Sequence, residues 1–240
     1  MNTNSLCSNF VRSCCEDNSG DLWIGTFNGL NRYDRETGQF HLYTANGNSP
    51  DGLTHSSIWC IVKDGQGTIW LGTYFGGVNY FNPEYEIYTR YKVGDTEKAG
   101  LSSPIVGRMT EDKDGNLWIC TEGGGVNVYD RINNTYRWYR HEEGKNSISH
   151  NNVKAIYYDR ANEIMWIGTH LGGLNKLDPR TNRFTVYRMK AGDPTSLPSD
   201  IVRDIIPYKD KLVVATQKGV CLFSPATGSC EPVSYTHLTL

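Results

Sequence analysis

The chain has 240 residues, with 24 Lys and Arg against 26 Asp and Glu and a formal net charge of −2. A balance so close to zero gives no general attraction to nucleic acid or to an anionic membrane, so we expect no nucleic-acid contact. No apolar run approaches the roughly 18 residues that indicate a membrane helix. The first ten residues lack the basic and apolar regions of a signal peptide.

A tryptophan recurs along the chain at intervals of 47 or 48 residues. It lies in the strings LWIGT, IWLGT, LWICT and MWIGT, at Trp23, Trp70, Trp118 and Trp166. A fifth copy, LVVAT, has Val213 in this position. Each copy is followed by a glycine step and a second apolar segment, as in GGVNVYD. A period of this length is typical of a repeat architecture.

Each repeat is predicted to form four short strands. In the second repeat these strands are expected at 58–63, 68–73, 78–81 and 85–91. The Asp64-Gly65 pair after the first strand predicts a tight hairpin, because Asp-Gly readily adopts the positive φ angles of such turns. Longer polar connections rich in Asn, Gly, Ser and Pro join one repeat to the next.

Four antiparallel strands per repeat predict an all-β fold, a β-propeller with five blades. A single four-stranded sheet cannot bury both faces, and the repeated indole is the natural filler between neighbouring sheets. Replacing Trp118 by Ala is expected to cost about 3–5 kcal/mol, and the fifth repeat, with Val213, to be the least stable. The blades are expected at 6–43, 53–91, 101–139, 148–187 and 197–233.

Seven cysteines, an odd number, form no CxxC pair. Cys14, Cys15 and Cys60 lie in apolar strand segments, and Cys120 and Cys221 take positions that other repeats fill with Gly or Asn. We expect buried thiols that act as small apolar side chains, although a disulfide stays an alternative.

The string DGNLWICTEGGGVNVYDRINNTYRWY at 114–139 resembles the two-component regulator propeller repeat. That repeat builds the sensor region of hybrid two-component systems in Bacteroidetes. The departures are Cys120 for Gly and VVAT for WIGT in the fifth repeat. The resemblance implies a periplasmic fragment of an inner-membrane receptor, with the remaining blades and signalling domains as partners and a homodimeric parent. The histidine kinase activity of that parent would lie outside this chain.

The resemblance also implies that five blades are part of a larger, seven-bladed ring. We therefore expect an open arc with exposed faces at residues 6–16 and 212–224 and a tendency to aggregate. Residues 234–240 fit the fifth outer strand poorly and are interpreted as a non-native tail, with an ordinary strand of Thr and Tyr as the alternative.

No catalytic motif of the GxSxG, HExxH or Walker type occurs, and the six histidines show no metal-ligand spacing. We therefore expect no enzymatic activity in this chain, no metal and no cofactor.

What remains is a binding face. In propellers, the loop between the second and third strands opens on the same side as the crossing between blades. Mixed aromatic and polar groups there suit a sugar, which stacks on rings and needs hydrogen-bond partners. An oligosaccharide is therefore the expected ligand. A propeller enzyme, such as a lyase or a quinone-dependent dehydrogenase, and a scaffold for receptor dimerisation are the alternatives. The candidate residues are Phe27, Tyr74, Phe75, Glu122, His170 and Gln217 in the loops, and His55, Ser57, Arg108, His150, Asn152, Asp200 and Arg203 at the crossings.

Overall fold

The computed structural model describes residues 4–45, 52–82, 87–96 and 100–233, in which all regular secondary structure is β-strand. Twenty strands form five four-stranded antiparallel sheets, each in sequence order. In these residues no helix is long and apolar enough to cross a membrane. The beginning of the strand expected at 85–91 and the tail at 234–240 lie outside the described residues.

The first sheet has strands β1 Val11–Glu16, β2 Leu22–Thr26, β3 Leu30–Asp34 and β4 Gln39–Tyr43; the second has β5 Ile58–Lys63, β6 Ile69–Thr73, β7 Val78–Asn82 and β8 Ile87–Tyr91; the third has β9 Val106–Glu111, β10 Leu117–Thr121, β11 Gly125–Asp130 and β12 Thr135–Tyr139; the fourth has β13 Val153–Asp159, β14 Ile164–Thr169, β15 Leu174–Asp178 and β16 Arg183–Tyr187; the fifth has β17 Val202–Tyr208, β18 Lys211–Thr216, β19 Gly219–Ser224 and β20 Ser229–Pro232.

The chain divides into two compact units. Unit 1 comprises residues 1–121 and 127–137, and unit 2 comprises residues 122–126 and 138–240. Within each unit, consecutive sheets pack face to face. Four-stranded antiparallel meanders stacked in this way are the blades of a β-propeller, so the expected fold class is confirmed.

The repeated tryptophans fill the spaces between sheets, and each is at most 1% exposed. In unit 1, Trp23 of the first sheet contacts Phe81 of the second, with ring centroids 5.0 Å apart. In unit 2, Trp166 contacts Phe223 of the fifth sheet at 5.4 Å. Burying an indole removes roughly 150–250 Å² from water, which corresponds to about 4–6 kcal/mol.

The glycine two residues after the tryptophan lets the inner strand of the next sheet approach. A Cβ atom at Gly72 would lie 2.5 Å from Cys60 Sγ and 2.7 Å from Val106 Cγ1. At Gly168 it would lie 2.5 Å from Val202 Cγ1. The third repeat carries a fully buried Cys120 at the equivalent position.

The hairpin between the first two strands differs from the expected Asp-Gly turn. Asp64 begins a longer loop whose residue with positive φ is Gly67, at +88°, and not Gly65. The Asp64 carboxylate organises this loop, because its Oδ1 accepts the backbone N–H groups of Gln66 and Thr68, each at 2.9 Å. Its second oxygen accepts the indole N–H of Trp70 at 2.9 Å.

This aspartate–indole bond recurs in the first and third repeats and is absent from the fourth. Trp23 donates to Asp17 at 2.7 Å and Trp118 to Asp112 at 2.8 Å. In the fourth repeat the tryptophan follows the aspartate by seven residues rather than six, and Asn162 donates to both carboxylate oxygens of Asp159. The buried indole N–H of Trp166 therefore has no hydrogen-bond partner.

The first strand is more exposed than the sequence suggested. In β1, Cys14 is exposed and Cys15 half-buried, so the expectation that both are buried is wrong. In unit 1, β5 is covered by β1 and β2 of the preceding sheet, whereas the described part of unit 1 has no sheet before β1. Cys60, Cys120, Cys221 and Cys230 are buried.

Residues 212–224 were expected to form an exposed face, and only some of their side chains are exposed. Val220 is 39% exposed. Leu212, Val214 and Phe223 instead belong to the cluster that packs the fifth sheet against the fourth. Val213, in the tryptophan position, is half-buried.

Two Trp→Phe variants separate the indole hydrogen bond from indole packing. Trp23 and Trp166 have similar surroundings, with a basic side chain 5.9 and 5.8 Å from the ring, respectively, and an aromatic neighbour. Trp23→Phe leaves Asp17 without one buried donor, which costs about 1–3 kcal/mol. Trp166→Phe removes a donor that has no partner. We expect denaturant unfolding to show the larger loss for Trp23→Phe, and equal losses would contradict this role of the bond.

Candidate functional site

Backbone hydrogen bonds join the loop between the second and third strands to the crossing that enters the same sheet. Tyr74 N donates to Ser57 O at 3.1 Å, and His170 N donates to Asn152 O at 2.8 Å. Phe27 and Gln217 make the equivalent bonds to Phe10 and Ile201. In these four sheets, the two sets of segments named by the sequence therefore open on the same edge.

A buried asparagine holds each crossing in the first four repeats. Asn79 Oδ1 accepts the backbone N–H of Thr54 at 2.9 Å, and its amide donates to Thr54 Oγ1 at 2.7 Å. Asn31, Asn127 and Asn175 bind Cys7, Ser102 and Ser149 in the same way. These bonds fix the loops on which the candidate residues lie.

In unit 1 the structure brings four rings and a guanidinium together, a group that we call the aromatic ladder. The indole of Trp59 stacks on Tyr74, with centroids 4.9 Å apart and planes inclined by 12°. Tyr74 contacts Phe75 at 4.4 Å, and Phe75 lies 6.3 Å from His55. At the other end, the Arg12 guanidinium lies 5.2 Å from the Trp59 ring.

Sequence reasoning named His55, Tyr74 and Phe75 but missed Trp59 and Arg12. Both lie at the β-bulge of an inner strand, where the register with the second strand shifts. A bulge changes the direction of a side chain, so an apolar-looking strand can present one residue elsewhere. Lys154 and Arg203 lie at the equivalent bulges of the fourth and fifth sheets. The signal was therefore present in the sequence, as Arg, Trp, Lys and Arg at this position of the first, second, fourth and fifth repeats, while the third has Gly107.

Two buried polar atoms of the ladder region lack a partner. They are the indole Nε1 of Trp59 and the hydroxyl of Ser57, a residue only 2% exposed. His55 Nδ1 accepts the backbone N–H of Ser57 at 3.0 Å, so a neutral imidazole carries its proton on Nε2. Buried polar groups without partners are rare in proteins, and they indicate places where a bound molecule or water completes the hydrogen bonding.

A cavity of about 390 Å³ opens beside the Phe75 end of the ladder. Thr54, Phe75, Arg90 and Lys92 are among the residues that line it. The guanidinium of Arg90 is held by the carbonyl oxygen of Gly52, with its Nε at 2.8 Å. An aromatic surface next to basic side chains is a typical lining for a polar ligand.

A cavity of about 430 Å³ lies at the opposite, hairpin edge of the sheets in unit 1, lined partly by Asp17, Arg32 and Gln66. Its charged groups already have structural partners. Asp17 accepts the Trp23 indole and two backbone N–H groups, and Arg32 pairs with Asp21 at 2.6 Å. We therefore place the candidate site at the ladder.

In unit 2 the corresponding face is polar. Lys154 forms an ion pair with Glu122, and the backbone N–H of Gly123 donates to Asn152 Oδ1 at 2.6 Å. The rings of His150 and His170 lie 6.5 Å apart, and His170 Nδ1 is buried without a partner. Burial, followed by the nearby His170, lowers the pKa of His150.

The remaining candidates lie apart from these two groups. Phe27 is 50% exposed on its loop, and no ring contact in the described residues joins it to the ladder. Arg108 is exposed on β9 near the thiols of Cys60 and Cys120, whose pKa values its charge lowers against the larger effect of burial. Arg203 and Gln217 are exposed in the fifth repeat. Asp200 lies 3.8 Å from Arg188.

Among the described residues, no group of three or more His, Cys, Asp or Glu side chains could hold a metal ion. The described face offers ring stacking, basic side chains and donors without partners. This chemistry can bind a polar molecule with flat apolar faces.

The model of the two component regulator propeller matches residues 5–28, 52–75, 100–123 and 147–170. The chain carries two-component regulator propeller repeats. Each matched segment runs from the crossing, through the inner strand and the tryptophan strand, to the following loop. The aromatic ladder therefore lies within the matched parts of these propeller repeats. A comparison with curated protein sequences found no match.

Solved structures share the propeller fold of these repeats. An extracellular domain assigned to a hybrid two-component system of B. thetaiotaomicron has a TM-score of 0.80 at 24% identity, over 94% of this chain and 30% of that one. A second extracellular domain from that organism, assigned to a one-component system, has a TM-score of 0.55 at 23% identity, over 96% and 38%. Virginiamycin B lyase from Staphylococcus aureus has a TM-score of 0.70 at 12% identity, over 96% and 72%. The chain thus spans about a third of the two B. thetaiotaomicron domains.

His150 predicts a pH dependence of the propeller's stability. Because its pKa is lowered from 6.5 in the folded state, its contribution is complete above that value and is lost as the pH falls through the lowered pKa. Serine takes its place in three other repeats and binds the same backbone N–H through its hydroxyl. We expect His150→Ser to reduce the loss of stability between pH 7 and about pH 5, measured by denaturant unfolding. An unchanged pH slope would contradict the assignment.

Proposed function

We propose that this chain is a ligand-binding part of the extracellular sensor of a two-component system, and that its ligand is an oligosaccharide. The match to two-component regulator propeller repeats supports the sensor assignment. A periplasmic location, a homodimeric parent receptor and signalling domains outside this chain belong to the same proposal.

The aromatic ladder is the observation that carries the choice of ligand. A pyranose ring presents flat C–H faces that pack on aromatic rings and a rim of hydroxyls that needs donors and acceptors. The Trp59–Tyr74–Phe75 series offers the first at Phe75, which is 55% exposed and is backed by the stacked Tyr74 and Trp59 rings. Ser57 Oγ, Trp59 Nε1 and the His55 imidazole supply the second.

The neighbouring cavity gives room for more than one sugar unit. It begins at Phe75 and continues to Arg90 and Lys92, which favour hydroxyl or carboxylate oxygens. The ligand is therefore expected to stack on the ladder and extend towards these basic groups.

The proposal does not include catalysis by this chain. The described face combines stacking rings with hydrogen-bonding groups, which is chemistry for binding. Catalysis is the second candidate function, because virginiamycin B lyase shares this fold. The binding experiment below also tests for it.

Substitutions in the ladder test the proposed site. We expect calorimetry of the full chain against a panel of plant and host glycan fragments to give one class of binder. Tyr74→Ala should then weaken binding about tenfold or more, because it removes the central stacking surface. Arg12→Ala should weaken it less, since Arg12 contacts only the outer face of Trp59.

A matched control is Trp138→Ala. Arg140 covers Trp138 at 4.4 Å, as Arg12 covers Trp59, but Trp138 lies on the outer strand β12. This variant should bind normally. Silence of the folded protein towards the whole panel, or equal effects of Tyr74→Ala and Trp138→Ala, would count against the site. Shortening of any fragment during the titration would support the enzyme instead.

A further inference from the structure

The thiols of Cys221 and Cys230 meet inside the fifth sheet. Their sulfur atoms lie 2.9 Å apart, and the residues are 0% and 4% exposed, respectively. Cys221 lies on β19 and Cys230 on β20, an antiparallel pair in which Phe223 is directly opposite Cys230. The two cysteines are therefore diagonal neighbours on one face of the sheet, the arrangement from which cross-strand side chains reach each other.

Both cysteines replace residues that the other repeats use structurally. Cys221 stands where the first four repeats have Asn31, Asn79, Asn127 and Asn175. Cys230 stands where the other outer strands have an aromatic residue, as at Phe40 and Phe184. Two separate positions of the repeat thus carry cysteine in the same sheet, on the same face and in contact. If the two cysteines served only as small apolar side chains, they would not need to be in contact. A disulfide bond requires that contact.

We propose that Cys221 and Cys230 form a disulfide bond when the protein is in an oxidising compartment. The oxidant is an external disulfide, either a small molecule or a thiol oxidoreductase. One thiolate attacks that disulfide, forming a mixed disulfide and releasing one external thiol. The second thiolate then attacks the mixed disulfide at the protein sulfur, which forms the internal S–S bond and releases the second external thiol. Two electrons pass to the external disulfide, and the two thiol protons end on the released thiols.

Cys230 is the thiol that an oxidant can reach first. It lies on β20, the edge strand of its sheet, held by β19 and by a bond of 2.7 Å from its backbone N–H to Thr195 O. Local opening of an edge strand requires less free energy than unfolding of the whole sheet. The hydrogen bond from Cys221 lowers the pKa of Cys230, while the same bond, with burial, raises that of Cys221. Opening of β20 breaks this bond, so it is the edge position of Cys230, and not its pKa, that makes it the first nucleophile.

The bond would fasten the last strand to its sheet. In the described part of unit 2, β20 pairs with one strand only, and it closes one side of the cluster that contains Trp166 and Phe223. A covalent link across a short loop reduces the freedom of the unfolded hairpin and so favours the closed strand. The covalent link would therefore keep β20 paired with β19 without additional side-chain packing.

Peptide mapping of the full chain tests the proposal directly. The protein is equilibrated with oxidised glutathione, quenched with acid, and then unfolded in denaturant at neutral pH with an excess of an alkylating reagent. Chymotrypsin then cuts after Phe223, which separates the two cysteines. We expect one linked pair of peptides containing Cys221 and Cys230, with neither residue alkylated. After reduction, both should be alkylated. Alkylation of both before reduction, or a link from either one to another of the seven cysteines, would overturn the proposal.

Thermal melting provides an independent measurement. Reduction of the oxidised protein should lower the melting temperature by about 4 °C or more. The Cys221→Ala/Cys230→Ala variant should show no such shift, whereas Cys14→Ser, which changes an exposed thiol on β1, should retain it. A shift that persists in the double variant would place the responsible bond elsewhere and contradict the assignment.

Discussion

The burial of an indole between two sheets is the interaction on which the rest of the fold depends. Each sheet has two apolar faces and cannot cover both, so neighbouring sheets must share a filler. Tryptophan fills that space, but it brings an N–H group that would be costly to bury alone. The aspartate six residues earlier removes this cost in three repeats and also orders its own hairpin. One carboxylate thus couples local turn geometry to packing between blades.

Periodicity was enough to predict the fold, because burial in a repeat is decided by position. The interval of 47 or 48 residues placed the tryptophans, and the pattern around them placed most strands close to where they lie. Burial of the first strand was not predictable in this way. Cys14 has the same local sequence pattern as other inner strands, but exposure depends on whether another sheet covers it. Similarly, the Asp-Gly rule failed at Asp64 because the carboxylate selects a longer loop than the dipeptide alone favours.

The candidate site was predictable in its location and less so in its members. Topology alone directs the two loop sets to one edge, and the variable side chains there drew attention to His55, Tyr74 and Phe75. Trp59 was not predicted as a site residue, because an apolar residue in a strand is ordinarily assigned to the core. Its role follows from a one-residue bulge that no periodic pattern records. The sequence does contain evidence that this position is outside the core. Arg12, Lys154 and Arg203 lie at the equivalent bulges, and charged residues are rarely buried in a core.

The fifth repeat shows how one departure permits another. In four repeats a buried asparagine binds the backbone N–H of the residue that follows a leucine or isoleucine of the crossing. In the fifth, that residue is Pro198, which has no N–H to satisfy. The asparagine would then be a buried amide without its main partner, and Cys221 replaces it without that cost. Because Pro198 has no N–H group to bind, the position can hold a thiol, and the register of the hairpin places this thiol against Cys230.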